Sequence, residues 1–215
     1  MATSQTPLAR TALWIAAALL AATAGLGVRQ HLLNTPALTL EVAALYPTHR
    51  PLPTFTLHDA EGRDFHRDQL QGHYSLVFFG YTQCPDVCPT TLIELNQVVR
   101  ALRDLPATLQ PTVVFVSVDP DRDIPAILKN YVQHFNPAFI GLSGNDAALT
   151  TLTHALGALY ARSPADNGTY SVDHSASLFL IDPSAALLAV FPSPQAARSI
   201  ETDYRQIVTA KDPPP

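Results

Sequence analysis

Two short apolar runs of strand-forming residues constrain the fold more than any other feature of this chain. The first covers Ser75 to Gly80 and the second covers residues 112–118, and neither alternates between apolar and polar positions. Runs of this length without alternation are typical of strands that are buried on both faces. A helical pattern follows each run. The chain is therefore predicted to form an α/β fold with a central sheet covered by helices on both faces.

The other elements complete the predicted order β-β-β-α-β-α-β-α-β-β-α, which contains no internal repeat. A strand begins at Phe55 and turns at Gly62 toward a short return near Phe65, as in a hairpin. The polar stretch 161–170 is predicted to be a loop. Further strands are predicted at 139–142, 177–181 and 187–191. Helices are predicted at 89–105, at 124–135 with Asp123 as the N-cap, at 146–160 and at 194–209.

Polar residues follow the two apolar runs directly. Cys84 and Cys88 lie in the turn after the first run, and Asp119 ends the second. In sheets of this kind a ligand or an active site belongs at the carboxyl ends of the strands. We therefore expect Cys84, Cys88 and Asp119 to lie at one edge of the sheet.

The two cysteines are the only ones in the chain, and they are four positions apart. A disulfide closing so short a loop stabilises a fold by only about 2 kcal/mol, which favours redox or metal chemistry over a structural role. Cys88 is predicted to lie just before a helix, where the helix dipole lowers the pKa of a thiol. A thiolate serves both disulfide exchange and metal ligation.

A stable metal site needs at least one further donor, and the chain contains eight histidines. His174 is the best candidate because it lies between the polar stretch and the predicted strand at 177–181. A loop at a strand end can fold over the edge of the sheet that carries the cysteines. Spacing alone leaves this assignment open, since most histidines lie on the surface.

The N-terminus carries an uncharged run at residues 11–28, bracketed by Arg10 and Arg29. This length is at the lower edge of what spans a bilayer, so we interpret residues 1–29 as an N-terminal transmembrane anchor. A cleaved secretory signal is the alternative, with Ala22-Thr23-Ala24 as the cleavage site, and a buried helix is less favoured. Either export route would place the cysteine pair in an oxidising compartment.

Residues 30–52 are predicted to be a tether with one short strand at 38–42, and residues 53–210 to be a single folded domain. The net charge is -5, and the 13 lysines and arginines are scattered singly. This pattern argues against nucleic-acid binding.

Three motifs resemble those of the Sco/SenC family of copper-binding assembly proteins. The first is Phe-Gly-Tyr-Thr-Gln-Cys-Pro-Asp-Val-Cys-Pro-Thr-Thr-Leu at 79–92, and the second is Ser-Val-Asp-Pro-Asp-Arg-Asp at 117–123. The third is Asp-His-Ser at 173–175, followed by Phe-Leu-Ile-Asp-Pro at 179–183. Their order is that of the family, and a membrane anchor before a thioredoxin-like domain is also the family arrangement.

The resemblance implies that Cys84, Cys88 and His174 are copper ligands and that Asp119 modulates metal and redox behaviour. It implies binding of Cu(I) and Cu(II) and assistance in building the binuclear copper centre of cytochrome c oxidase subunit two. Two thiolates and an imidazole suit Cu(I), because soft sulfur ligands select it. The implied location is the inner (cytoplasmic) membrane, with the domain on the exported, periplasmic side.

Three other functions remain open at the level of sequence. The pair could act as a thiol-disulfide oxidoreductase that reduces the cysteines of the oxidase subunit before metal loading. A peroxidase-like thiol enzyme is less favoured because no peroxide-positioning constellation is visible. Structural zinc is also less favoured because it needs four protein ligands and only three are identified.

Overall fold

The computed structural model describes residues 14–26, 38–164 and 170–210. It divides into two compact units, Met1–Thr39 and Leu40–Pro215. In the first unit, residues 14–26 form a helix, α1. The predicted transmembrane run at 11–28 extends beyond this helix, into residues outside the described ranges. Within those ranges, no helix combines the length and the apolar character needed to cross a bilayer.

The second unit is built on an eight-stranded mixed sheet with the order β1-β10-β9-β4-β5-β6-β2-β3. Strands β4, β5 and β6 are parallel, and the other neighbours are antiparallel. The sheet strands are β1 Ala44–Pro51, β2 Thr56–Asp59, β3 Asp64–His66, β4 Ser75–Gly80, β5 Thr112–Ser117, β6 Ile140–Ser143, β9 Leu178–Ile181 and β10 Ala186–Phe191.

The centre of the sheet confirms the interpretation of the two apolar runs. Every residue of β4 is buried. Because alternate side chains of a strand point to opposite faces, both faces of the sheet are covered at this strand. The helices are α2 Val87–Ala101, α3 Pro125–Phe135, α4 Asp146–Leu156 and α5 Ala197–Thr209.

Helices α2 and α5 pack against each other, α3 packs on β6, and α4 packs on β2. Asn145 caps helix α4, since its side chain accepts a hydrogen bond from the N–H of Ala148. It ends at Gly157 in the left-handed conformation, which is earlier than predicted from the sequence. Helix α2 begins at Val87 instead of residue 89, so that Cys88 lies inside its first turn.

The polar stretch predicted to be a loop instead contributes to a hairpin. Strands β7 Tyr160–Pro164 and β8 Tyr170–His174 pair antiparallel in a separate two-stranded sheet. The five residues between these strands lie outside the described ranges. His174 is therefore the last residue of a strand, where a loop position had been predicted.

The first strand of the domain also lies elsewhere than predicted. Residues 38–42 contain no strand, and β1 at Ala44–Pro51 pairs with β10 inside the segment predicted as a tether. Just before β1, the fully buried carboxylate of Asp203 in α5 accepts three backbone N–H groups. They belong to Glu41, Val42 and Ala43, at 2.7, 2.8 and 2.7 Å. These hydrogen bonds compensate a buried charge that would otherwise be unfavourable.

Candidate metal centre

The turn between β4 and α2 places the two cysteines next to each other. Its first residues are tied by a hydrogen bond from the N–H of Cys84 to the carbonyl of Tyr81, at 3.2 Å. Cys88, one turn further into the chain, donates its N–H to the Sγ of Cys84 at 3.4 Å. Cys84 is partly exposed, whereas Cys88 is fully buried. The two thiols therefore differ in accessibility although they share one turn.

The end of β4 provides the space that the buried thiol occupies. A Cβ atom placed on Gly80 would lie 2.8 Å from the Sγ of Cys88 and 2.7 Å from Cε2 of Phe115. Both distances are shorter than the contacts that Cβ atoms make in proteins. The sulfur of Cys88 can therefore pack against the backbone of Gly80 only because this residue has no side chain. Glycine at this position thus fixes how closely Cys88 approaches the sheet.

His174 reaches this turn from the end of β8. Its Nε2 lies 3.3 Å from the Sγ of Cys88, and its Nδ1 lies 3.2 Å from the carbonyl oxygen of Ser175. A proton on Nδ1 would be donated to that carbonyl, leaving the Nε2 lone pair facing the sulfur. A histidine that ligates a metal is commonly oriented by a second-nitrogen hydrogen bond of this kind. The rings of Phe78 and Tyr81 meet the imidazole edge to face, at 6.0 and 5.9 Å.

The Sγ atoms of Cys84 and Cys88 and a ring nitrogen of His174 all lie within 4.8 Å of one another. In the part of the chain that the structure describes, this is the only such group of three or more potential metal ligands. The donors are two soft sulfur atoms and one imidazole nitrogen, a set suited to a soft cation. The structure thus brings together the three residues that the sequence analysis singled out.

Burial shifts the pKa values of Cys88 and His174 in opposite directions. Burial raises the pKa of the Cys88 thiol strongly, and the neighbouring Cys84 adds to this effect. The lowered pKa predicted from the helix terminus is therefore wrong for Cys88, because loss of solvation outweighs the dipole. Burial also lowers the pKa of His174 below its ordinary value, which favours the neutral imidazole that ligates metals.

Asp119 lies at the predicted edge of the sheet but does not belong to the donor group. It is fully buried, and it accepts hydrogen bonds from the hydroxyl of Tyr170 at 2.6 Å and from the Nε of Arg122. Its link to the donors therefore runs through the hairpin, since Tyr170 begins the strand that His174 ends.

A second buried carboxylate near the cysteine turn was assigned the wrong role. Asp123 was predicted to cap α3, but Ile124 occupies that position. Instead, Asp123 accepts hydrogen bonds from Thr82, at 2.9 Å from its N–H and 2.6 Å from its hydroxyl. The hydroxyl of Ser117 donates to the same carboxylate at 2.5 Å. Asp123 thus ties the start of the cysteine turn to the end of β5. The only sequence signal for this contact is the second motif, at 117–123, which places acidic residues directly after a buried strand.

Fold and donor group together define a thioredoxin-like domain with a dithiol and imidazole site at the edge of its sheet. The family model described as SCO1/SenC matches residues 46–209. The chain is also 39% identical over 148 residues to an SCO2-like protein of Rickettsia prowazekii, covering 68% of this chain and 71% of that protein. It belongs to the SCO1/SenC family.

Two solved structures of copper-bound proteins resemble the domain. The first is ScoI of Bradyrhizobium japonicum with copper bound, at a TM-score of 0.64 and 34% identity, covering 73% of this chain and 98% of that one. The second is yeast Sco1 with copper bound, at a TM-score of 0.69 and 27% identity, covering 76% of this chain and 91% of that one. Both similarities agree with the thioredoxin-like architecture.

Proposed function

We propose that this protein is a copper metallochaperone that holds copper through Cys84, Cys88 and His174. The observation that carries the proposal is the convergence of these three donor atoms within 4.8 Å of one another. Membership of the SCO1/SenC family and the similarity to two copper-bound structures support the choice of metal. Thiolate donors favour Cu(I) over harder cations.

Delivery of the metal would use the difference between the two thiols. The partly exposed Sγ of Cys84 is open to an incoming thiol of a partner, whereas Cys88 is buried behind it. The partner that the family implies is the copper domain of cytochrome c oxidase subunit two. Transfer would then proceed by exchange of one sulfur ligand at a time. Asp119 would modulate the site through the hairpin.

A competitive titration tests the metal assignment. The reduced protein is mixed with Cu(I) and Zn(II), and the retained metal is identified by mass. We expect Cu(I) to be retained, and loss of retention in Cys84→Ser and in Cys88→Ser. His174→Ala should weaken retention, whereas the exposed His154→Ala should not. Preferential retention of zinc would contradict the proposal.

The asymmetry of the pair also favours a second function, thiol-disulfide exchange. The Cys84 sulfur, which accepts the N–H of Cys88, would attack a disulfide of the partner and form a mixed disulfide. Cys88 would then attack Cys84, so that the pair is oxidised to a disulfide and the partner is reduced to two thiols. This reaction does not need His174. Partner reduction that survives in His174→Ala while copper transfer is lost would separate the two activities.

The location is a further part of the proposal. We infer that residues 1–29 anchor the chain in the inner membrane and that the folded domain, whose main sheet includes β1 at Ala44–Pro51, is exported. The uncharged run at 11–28 and the family arrangement support this inference. Retention of the full chain in the membrane pellet after carbonate extraction would agree with it, and release into the supernatant would contradict it.

A further inference from the structure

We propose that Arg122 is a positioning residue that keeps the β7–β8 hairpin in place, and thereby holds His174 at Cys88. The proposal rests on the proposed copper site for its significance, but the contacts that carry it are made by residues outside the donor group. The hairpin forms its own two-stranded sheet, outside the hydrogen-bond ladder of the main sheet. Apart from the short chain connections to α4 and β9, its position therefore depends on side-chain contacts.

Arg122 makes two kinds of contact with the first residue of β8. Its Nη1 donates to the carbonyl oxygen of Tyr170 at 2.9 Å, and its guanidinium lies over the Tyr170 ring at 3.8 Å from the centroid. A planar guanidinium can stack and donate in this way, whereas a lysine ammonium cannot. One side chain thus holds both the backbone and the ring of Tyr170.

The other side of Arg122 is fixed to the main sheet. Its Nε donates to Asp119, which is fully buried just after β5. The hydroxyl of Tyr170 donates to the same carboxylate at 2.6 Å, so that the three side chains form a closed triangle. We call Asp119, Arg122 and Tyr170 the hairpin latch. Because the buried carboxylate needs both donors, opening the latch costs more than an exposed ion pair would.

Two routes connect the latch with the imidazole. The first is β8 itself, which begins at Tyr170 and ends at His174. The second is Tyr81, since Arg122 lies 5.7 Å from the centroid of its ring and that ring meets the edge of His174. Loss of Arg122 therefore loosens the far end of the strand and one aromatic neighbour of the imidazole. Arg162 offers a control on the same hairpin, because it pairs at 3.6 and 3.4 Å with the exposed Asp121 and Asp146. Its guanidinium lies 5.9 Å from the centroid of the Tyr170 ring, against 3.8 Å for Arg122, and within the described residues it donates no hydrogen bond to Tyr170.

A double-mutant cycle tests the latch in the reduced full-length protein. The variants are Arg122→Gln, His174→Ala and the double substitution, with Arg162→Gln as the control, and the readout is Cu(I) affinity by competition. We expect Arg122→Gln to weaken binding about tenfold, the lower end of the usual effect of residues that orient a metal ligand. In the His174→Ala background the same substitution should have no further effect. An equal weakening in both backgrounds would overturn the proposal, since Arg122 would then act without His174.

Two conservative variants separate the contribution of stacking from that of hydrogen bonding. Arg122→Lys keeps the charge but not the planar fork, so it should weaken binding as Arg122→Gln does. Full retention of affinity in Arg122→Lys would contradict the stacking argument. Tyr170→Phe keeps the stack and removes one hydrogen bond, and it should weaken binding less. If Arg122→Gln does not fold, Tyr170→Phe replaces it in the double-mutant cycle.

A readout without metal separates this proposal from the copper assignment. Nuclear magnetic resonance of the His174 ring in the reduced, metal-free protein should report one fixed environment in the wild type and in Arg162→Gln. In Arg122→Gln the ring signals should shift toward those of a solvated histidine. Unchanged ring signals would overturn the latch. A wild-type protein that fails to bind Cu(I) would instead overturn the proposed function and leave this measurement valid.

Discussion

The cysteine turn and the β7–β8 hairpin bring their ligands to the same place, but the fold holds them in different ways. Cys84 and Cys88 follow a strand whose residues are all buried and which has a neighbour on each side, β9 and β5. His174 ends a strand that pairs only with β7 and of which only Val172 is fully buried. Cys88 thus belongs to the core and Cys84 lies in the turn that directly follows the buried strand, whereas His174 is held mainly by side-chain contacts of the hairpin.

This difference suggests that the two regions differ in stability. Local opening is favoured where few apolar contacts and few shared backbone hydrogen bonds hold a segment. The cysteine turn should open only when the domain unfolds, whereas the hairpin can open separately. The dithiol would then be a constant part of the site and the imidazole a variable part.

The largest expected effect contrasts Phe79 in β4 with Val172 in β8. Phe79→Ala should destabilise the domain by about 3–5 kcal/mol, because it leaves a cavity beside Phe179 in the core. Val172→Ala removes two methyl groups and should cost about 1.6 kcal/mol, mostly as local opening of the hairpin. Denaturant unfolding measures the first effect, and amide hydrogen exchange of β7 and β8 measures the second. If the full loss of about 1.6 kcal/mol in Val172→Ala appeared in the global free energy of unfolding, hairpin and core would unfold together.

A smaller effect is expected from Gly80→Ala. The new methyl group would overlap the Sγ of Cys88 and the Phe115 ring, which typically costs about 1–3 kcal/mol. It should also move the thiol and weaken Cu(I) binding. Gly141→Ala is the matched control, since its Cβ would lie 2.9 Å from Cγ of Leu128. The control should lose similar stability and keep its copper affinity. Equal losses of affinity in both variants would assign the effect to general destabilisation.

The smallest effect concerns the protonation of His174. Its pKa is lowered by burial, so the unfolded chain binds a proton at a higher pH than the folded protein does. Stability should therefore be constant above about pH 6.5, the ordinary histidine value, and fall as the pH drops from there toward the folded pKa. His174→Gln should remove this part of the pH dependence. An unchanged pH profile in that variant would assign it to other groups.

The sequence was sufficient where local patterns determine structure. The uniform apolar runs identified β4 and β5, and the predicted start of α4 at residue 146 is confirmed. The three donor residues were found through the resemblance of their motifs, because spacing alone left His174 undecided.

The errors concern features that depend on distant parts of the chain. Strands β1 and β7 contain prolines and few buried residues, so neither carries an alternating apolar pattern. They form strands because β10 pairs with β1 and β8 pairs with β7. The pKa of Cys88 was misjudged for a similar reason, since the helix terminus is visible in the sequence and the burial of the sulfur is not. The same holds for Asp123, whose partners Thr82 and Ser117 lie in the cysteine turn and at the end of β5.

The hydrogen bonds of Asp203 determine where a shortened version of the domain can begin. A fragment that starts at Ala44 retains all ten strands of the described chain, and secondary structure alone would justify that choice. It would nevertheless remove the three N–H groups of Glu41, Val42 and Ala43 and leave a buried carboxylate in α5 without them. A stable fragment for biochemical work should therefore begin at or before Leu40, ahead of the first strand.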